Sequence, residues 1–148
     1  MDHALAFDAP YLSPVKTADL LMNVTKSAVL HHFGFVDALE HALKSADALG
    51  KHSAVIHFAA EVTKYVWSHK EYQPWGTVLP LQCPQCGILN CWTSVYMPGG
   101  LGGYRFECKG KQCGWVEGKQ AVDSYRIEVP RPPNAVLLNN GWLRFVLA

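Results

Sequence analysis

All five cysteines of this chain fall between positions 83 and 113, and four of them form two short motifs, Cys83-Pro-Gln-Cys86-Gly87 and Cys108-Lys-Gly-Lys-Gln-Cys113-Gly114. Two tight loops of this kind, some twenty residues apart, have the spacing with which two chain reversals deliver four thiolates to one zinc ion. The glycine directly after the second cysteine of each pair lets backbone amides approach sulfur without a Cβ in the way. An odd number of cysteines, in a chain whose first residues lack the basic and apolar regions of a secretory signal, fits metal binding better than disulfides. Cys91 is the odd one; it lies five residues after Cys86 with no Cys-Gly step and reads as a small buried residue. Four thiolates close a tetrahedron and leave no position for an acidic water, so the expectation is one structural Zn²⁺ held by Cys83, Cys86, Cys108 and Cys113, with no catalytic residue at the metal.

Between the two knuckles, residues 91–97 and 103–107 are strand-like and are joined by a Pro-Gly-Gly-Leu-Gly-Gly loop. With its two knuckles, the segment from about residue 81 to 129 resembles a zinc ribbon, the small module found in transcription factors, RNA polymerase subunits and topoisomerase tails. The resemblance covers roughly a third of the chain and defines a fold more than a family. It implies a small antiparallel β module organised by its metal.

The first half reads differently. Leu20, Leu21, Val24, Ala28 and the run to Phe33 keep helical spacing, with Thr17 as a cap and Gly34 as the stop. Val36, Leu39, Leu43 and Leu49 continue at similar intervals up to Gly50. Over 53–68, the residues Val55, Phe58, Ala59, Val62, Val66 and Trp67 recur every three to four positions, which favours a third helix, with a strand over the Ala-Val-Ile-His-Phe start as the competing reading. Gln73-Pro74-Trp75-Gly76 breaks the pattern, and glycine, proline, aromatic and β-branched residues dominate from Val78 onward. In the tail, Asn140-Gly141 between two apolar runs signals a β-hairpin, with a helix as the alternative. The expected class is α+β: an N-terminal extension (1–15), a helical region of about three helices (16–72), the antiparallel ribbon (78–129), then a Pro-rich link and apolar C-terminal hairpin (130–148).

Charge excludes little. The chain is 148 residues long with a net charge of +1; residues 1–79 carry six lysines against eight acids, and residues 80–148 seven basic against four acidic side chains. A zinc tetrathiolate would itself subtract two charges, leaving the ribbon half close to neutral and short of the basic footprint that releases counterions from nucleic acid. Trp92, Tyr96, Tyr104 and Trp115 nonetheless alternate with Arg105, Lys109 and Lys111, the mixture with which ribbons stack bases and hold phosphates. Packing of the aromatics on a module with little core of its own is the blander and favoured reading. Of the seven histidines, six lie between 31 and 69; His57 and Glu61 would share a helix face one turn apart, but no His-Glu-x-x-His motif is present, so surface or packing roles are expected. No phosphate-binding loop, nucleophile elbow or dinucleotide fingerprint occurs, and no stretch reaches membrane-spanning length.

The resulting expectation is a non-enzymatic, intracellular (cytoplasmic or nuclear) interaction protein that docks on a protein partner or on a second copy of itself. Nucleic-acid binding through the ribbon aromatics and Lys/Arg is the first alternative. The apolar tail supports a third reading, an appendage or subunit of a larger enzyme complex.

Overall fold

The computed structural model describes residues 2–98, 102–113, 115–116, 119–120 and 125–147, with backbone pairing alone at 115–116 and 119–120. Its first element is a strand, β1 (Ala4–Asp8), followed by the helices α1 (Pro14–Leu30), α2 (Phe35–Leu43) and the single turn α3 (Asp47–Gly50). Helix α1 starts three residues ahead of the expected Thr17 cap. Ser13 occupies the cap position and Pro14 opens the helix, because proline's fixed φ suits a first turn whose N–H groups lack partners anyway. Thr17 is buried, and its hydroxyl donates back to the Ser13 carbonyl at 2.9 Å. The second expected helix is broken after Leu43, where the N–H groups of Lys44, Ser45 and Ala46 each reach three residues back and the Ser45 hydroxyl also donates to the Ala42 carbonyl. Such a hydroxyl competes with the α-helical ladder.

The third expected helix is not formed. Residues 53–68 instead contain a hairpin of β2 (Ala54–Phe58) and β3 (Val62–Trp67). Eight of its eleven strand residues are β-branched or aromatic, a composition that suits a pleated, half-buried surface. Val55, His57, Tyr65 and Trp67 alternate in phase on the buried face, but Phe58, Val62 and Val66 on the opposite face are apolar too, and apolar residues on both faces imitate a three-to-four residue repeat. Long-range pairing then fixes the choice. Strand β2 pairs with β1, and β3 pairs along its whole length with the last strand, in register from Trp142 opposite Trp67 to Leu147 opposite Val62.

The chain divides into two units, one from residues up to Ser68 together with those from Asn134 onward, the other from His69 to Pro133. In sequence order the second unit is an insertion into the first. It contains β4 (Trp92–Met97), β5 (Gly103–Cys108), β6 (Trp115–Val116), β7 (Lys119–Gln120) and β8 (Arg126–Pro130). The tail then folds as the expected hairpin of β9 (Val136–Leu137) and β10 (Trp142–Leu147). Its tight turn ends at Gly141, whose φ is 81°. The hairpin does more than cover apolar surface, since β10 is an interior strand of the five-stranded antiparallel sheet β1-β2-β3-β10-β9.

In the first unit, Leu20 and Val24 of α1 and Leu39 and Leu43 of α2 form one buried core with Val55, Tyr65, Trp67 and Trp142 of the sheet. Each large side chain fully removed from water stabilises by about 1.5–3 kcal/mol. Trp142 and Leu143 are fully buried, whereas Val146 and Leu147 at the strand's end are exposed. Glu40 ties α2 to the sheet, accepting from Arg144 at 2.9 Å and from the Tyr65 hydroxyl at 3.4 Å, while its carbonyl accepts from the Asn140 side chain. Burial, then the nearby carboxylate of Glu40, pushes the Tyr65 phenol up to about 12. Gly50 is where the helical layer meets the sheet most closely. A Cβ there would lie 2.3 Å from Trp67 Cβ and 2.8 Å from the Trp142 ring. Gly50→Ala should therefore destabilise the first unit by about 1–3 kcal/mol, read as a lower denaturation midpoint at unchanged metal content; an unshifted midpoint would show that the layers can separate freely.

The second unit carries a three-stranded antiparallel sheet, β4-β5-β8. One face of it holds Phe106 and Val129, which cluster with Leu79 and pack against Trp75, Trp92, Tyr104 and Ile127. On the other face Arg105 and Arg126 both approach Glu107, at 2.8 and 3.8 Å. The apolar core of this unit is small, so most of its order has to come from elsewhere.

A candidate metal centre of four cysteines

Each knuckle is built by local hydrogen bonding that its sequence dictates. In the first, the Cys83 N–H donates to the Ile88 carbonyl at 2.9 Å and the Gly87 N–H returns to the Cys83 carbonyl at 2.8 Å. Gly87 sits at φ +71° with open space around its missing Cβ, so glycine is required there for conformation. The second knuckle follows β5. A short 3-10 turn over Lys111–Cys113 closes it, the Cys113 N–H donating to the Gly110 carbonyl at 2.8 Å.

These turns bring the Sγ atoms of Cys83, Cys86, Cys108 and Cys113 within 4.8 Å of one another. Cys83 and Cys113 are 3.7 Å apart at sulfur, Cys86 and Cys108 3.6 Å. Disulfide sulfurs would be about 2.05 Å apart, whereas four thiolates each about 2.3 Å from one tetrahedral ion are separated by about 3.8 Å. The observed spacing is therefore that of metal ligands, each from a different corner of two loops, and it leaves no tetrahedral position vacant. The four cysteines are positioned to bind a metal ion. Cys91 is buried against the same group but is not one of the four.

Gly110 is a residue that sequence spacing does not single out. A Cβ at this position would lie 2.9 Å from Cys86 Sγ and 3.3 Å from Cys108 Sγ, and its N–H donates to Cys108 Sγ at 3.3 Å. It both makes room for the sulfurs and stabilises negative charge on one of them. The available signal was a glycine inside the Cys-x4-Cys loop. Gly114, the glycine of the second Cys-Gly step, lies outside the described residues.

Electrostatics makes metal binding proton-coupled. Burial raises the thiols of Cys108 and Cys113 above their ordinary range. Burial also opposes ionisation of Cys83, but backbone N–H groups of Cys86 and Gln85 aimed at its sulfur outweigh it and bring that thiol down to about 7. Metal must therefore displace protons from Cys108 and Cys113 at neutral pH, and below about pH 7 from Cys83 as well. Affinity should rise with pH across this range, with more protons released per metal at pH 6 than at pH 8. Calorimetric titrations in buffers of different ionisation enthalpy would measure this; proton release independent of pH would contradict the assignment.

Of the remaining ribbon residues picked out from the sequence, Trp92 and Lys109 border one cleft and Tyr96 meets Tyr104, while the others are spread over the second unit. Trp92 is half-buried against the cysteines and Tyr125, and its indole N–H donates to the Pro80 carbonyl at 2.7 Å. Tyr104 is half-buried beside Trp75 and Tyr96. Arg105 faces Glu107. Tyr96 is 57% exposed at the far end of β4, and Lys109 and Lys111 are exposed at the second knuckle. The Trp115 side chain lies outside the described residues. His57, expected beside Glu61 on a helix, is instead a buried residue of β2. No protein-family model, curated protein or solved structure matches this chain.

Proposed function

We propose that this chain is a non-enzymatic adaptor whose ribbon, locked by one structural zinc ion, docks on a protein partner through the apolar side chains of its first knuckle. The observation that carries this reading is the exposure of those side chains on the turn that brings Cys83 and Cys86 into the cysteine cluster. Leu81, Ile88 and Leu89 are 77, 41 and 63% exposed. The Asn90 N–H to Leu81 carbonyl bond and the Gln82–Leu89 bridge clamp the two arms together. Apolar groups presented on a rigid segment lose little conformational entropy when a partner covers them. Zinc fits a closed set of four thiolates, and a closed set supports structure over catalysis. The near-neutral charge of the chain suits a protein surface better than a polyanion. No helix among the described residues is long and apolar enough to cross a membrane.

A second reading, binding of single-stranded nucleic acid, is favoured by one feature. A cleft of about 390 Å³ in the second unit is lined by Tyr72, Trp92 and Lys109, two rings and a cation of the kind that hold a base and its phosphate. Two measurements on the zinc-loaded chain separate the readings. Leu81→Glu with Leu89→Glu should abolish capture of a stoichiometric partner from cell extract while leaving melting and zinc content unchanged. Mixed-sequence single-stranded DNA and RNA, titrated at two salt concentrations, should show no salt-sensitive binding tighter than about 100 μM. Salt-sensitive binding below that, with capture unaffected by the double variant, would replace the adaptor reading with the second one.

A further inference from the structure

His3 and His57 are 54 positions apart in sequence, yet His3 Nδ1 lies 3.0 Å from His57 Nε2. His57, one residue from the end of β2, is 3% exposed, whereas His3 is exposed just before β1. Phe35 fixes both rings, stacking on His3 at 4.5 Å and on His57 at 5.2 Å. Both histidines line a cavity of about 490 Å³ over the sheet, which Glu61, Tyr65 and Arg144 also border. The cation on that wall, Arg144, is held by Glu40, so the Glu61 carboxylate leaves the local field favourable to a positive guest.

We infer that His3 and His57 form a second metal site, a two-imidazole site for a divalent transition ion such as zinc, with its remaining coordination positions open to the cavity. Two imidazole nitrogens, each about 2.1 Å from one tetrahedral ion, are about 3.4 Å apart, so the hydrogen-bonded pair, 3.0 Å apart, has only to open slightly to share one. Without metal the rings share one hydrogen, donated by one nitrogen to the lone pair of the other. When metal binds, the donor ring takes its hydrogen on its other nitrogen, so both facing lone pairs become free and neutral rings release no net proton. The rings now meet nearly end to end, with centroids 5.2 Å apart and planes 21° apart. A shared ion is reached by tilting the exposed His3 ring, which rests on Phe35 and His57. The site differs from the cysteine centre in kind: two donors leave it exchangeable, where four thiolates saturate their ion.

The test starts from full-length protein already carrying one zinc per chain and adds zinc ions under equilibrium dialysis at micromolar free metal, followed by imidazole NMR. The expected result is a second equivalent of zinc per chain, with the resonances of His3 and His57 moving together. His3→Ala should weaken the second equivalent at least about tenfold and leave the first bound; being exposed, it keeps the fold. His57→Ala should do the same where it folds. A protein that takes up one zinc only, or one whose second equivalent survives His3→Ala, overturns the site and reduces the pair to a hydrogen bond. Loss of the first equivalent would instead speak against the cysteine centre, so the two failures are distinct.

Discussion

Replacing Cys86 or Cys113 by serine should unfold the second unit and spare the first. Structural zinc contributes roughly ten kcal/mol or more to modules of this kind, against total domain stabilities of about 5–15 kcal/mol. The apolar cluster of Leu79, Phe106 and Val129 with its half-buried neighbours is too small to compensate. The damage should also stop at the boundaries of the insertion. Residues up to 68 and from 134 onward belong to the other unit, so β10 should stay paired with β3. Backbone amide NMR resolves this: resonances of 69–98 and 102–113 should collapse to unfolded positions, while those of β2, β3 and β10 hold. Unchanged melting of the second unit in either variant, or after zinc removal by a chelator, would show that the metal is not what orders it.

A chain ending at Pro133 should fail to fold its N-terminal unit. Truncation there removes β9 and β10, opens the full length of β3 to solvent, and takes Trp142 out of the core that Tyr65, Trp67, Leu39 and Leu43 share. Loss of a buried tryptophan side chain alone costs about 3–5 kcal/mol, and the lost strand adds its ladder of hydrogen bonds to that. The truncated protein should lose cooperative unfolding in its first unit while retaining zinc. Supplying residues 134–148 as a separate peptide should restore protection of β3 amides from hydrogen exchange. A stable, cooperatively melting first unit without the tail would contradict the sheet order β1-β2-β3-β10-β9.

The ease with which different parts could be read from sequence follows the range of the forces that shape them. The cysteine knuckles are legible because metal geometry acts over a few residues: Cys83 to Gly87 must reverse whatever the rest of the chain does. The strands on either side of the glycine-rich loop are legible for the same reason, as is the turn at Asn140-Gly141. The hairpin of β2 and β3 is not, because Val55 on its buried face and Phe58, Val62 and Val66 on the other together satisfy a helical template. What decides against the helix is β10, nearly eighty residues away, and single-sequence periodicity carries no information about pairing at that distance. Likewise, nothing in local spacing joins His3 to His57, or inserts one unit between β3 and β9. Gly110 sits between these cases, a glycine in a legible loop whose close approach to Cys86 Sγ arises only from the folded arrangement of the two knuckles.

Four sulfurs from two loops should saturate a single ion. X-ray absorption at the zinc edge of protein purified with one equivalent of metal tests it most directly. The expected first shell is four sulfurs at about 2.3 Å with no oxygen or nitrogen neighbour. A shell containing a light-atom ligand, or protein that retains no zinc after dialysis, would contradict it.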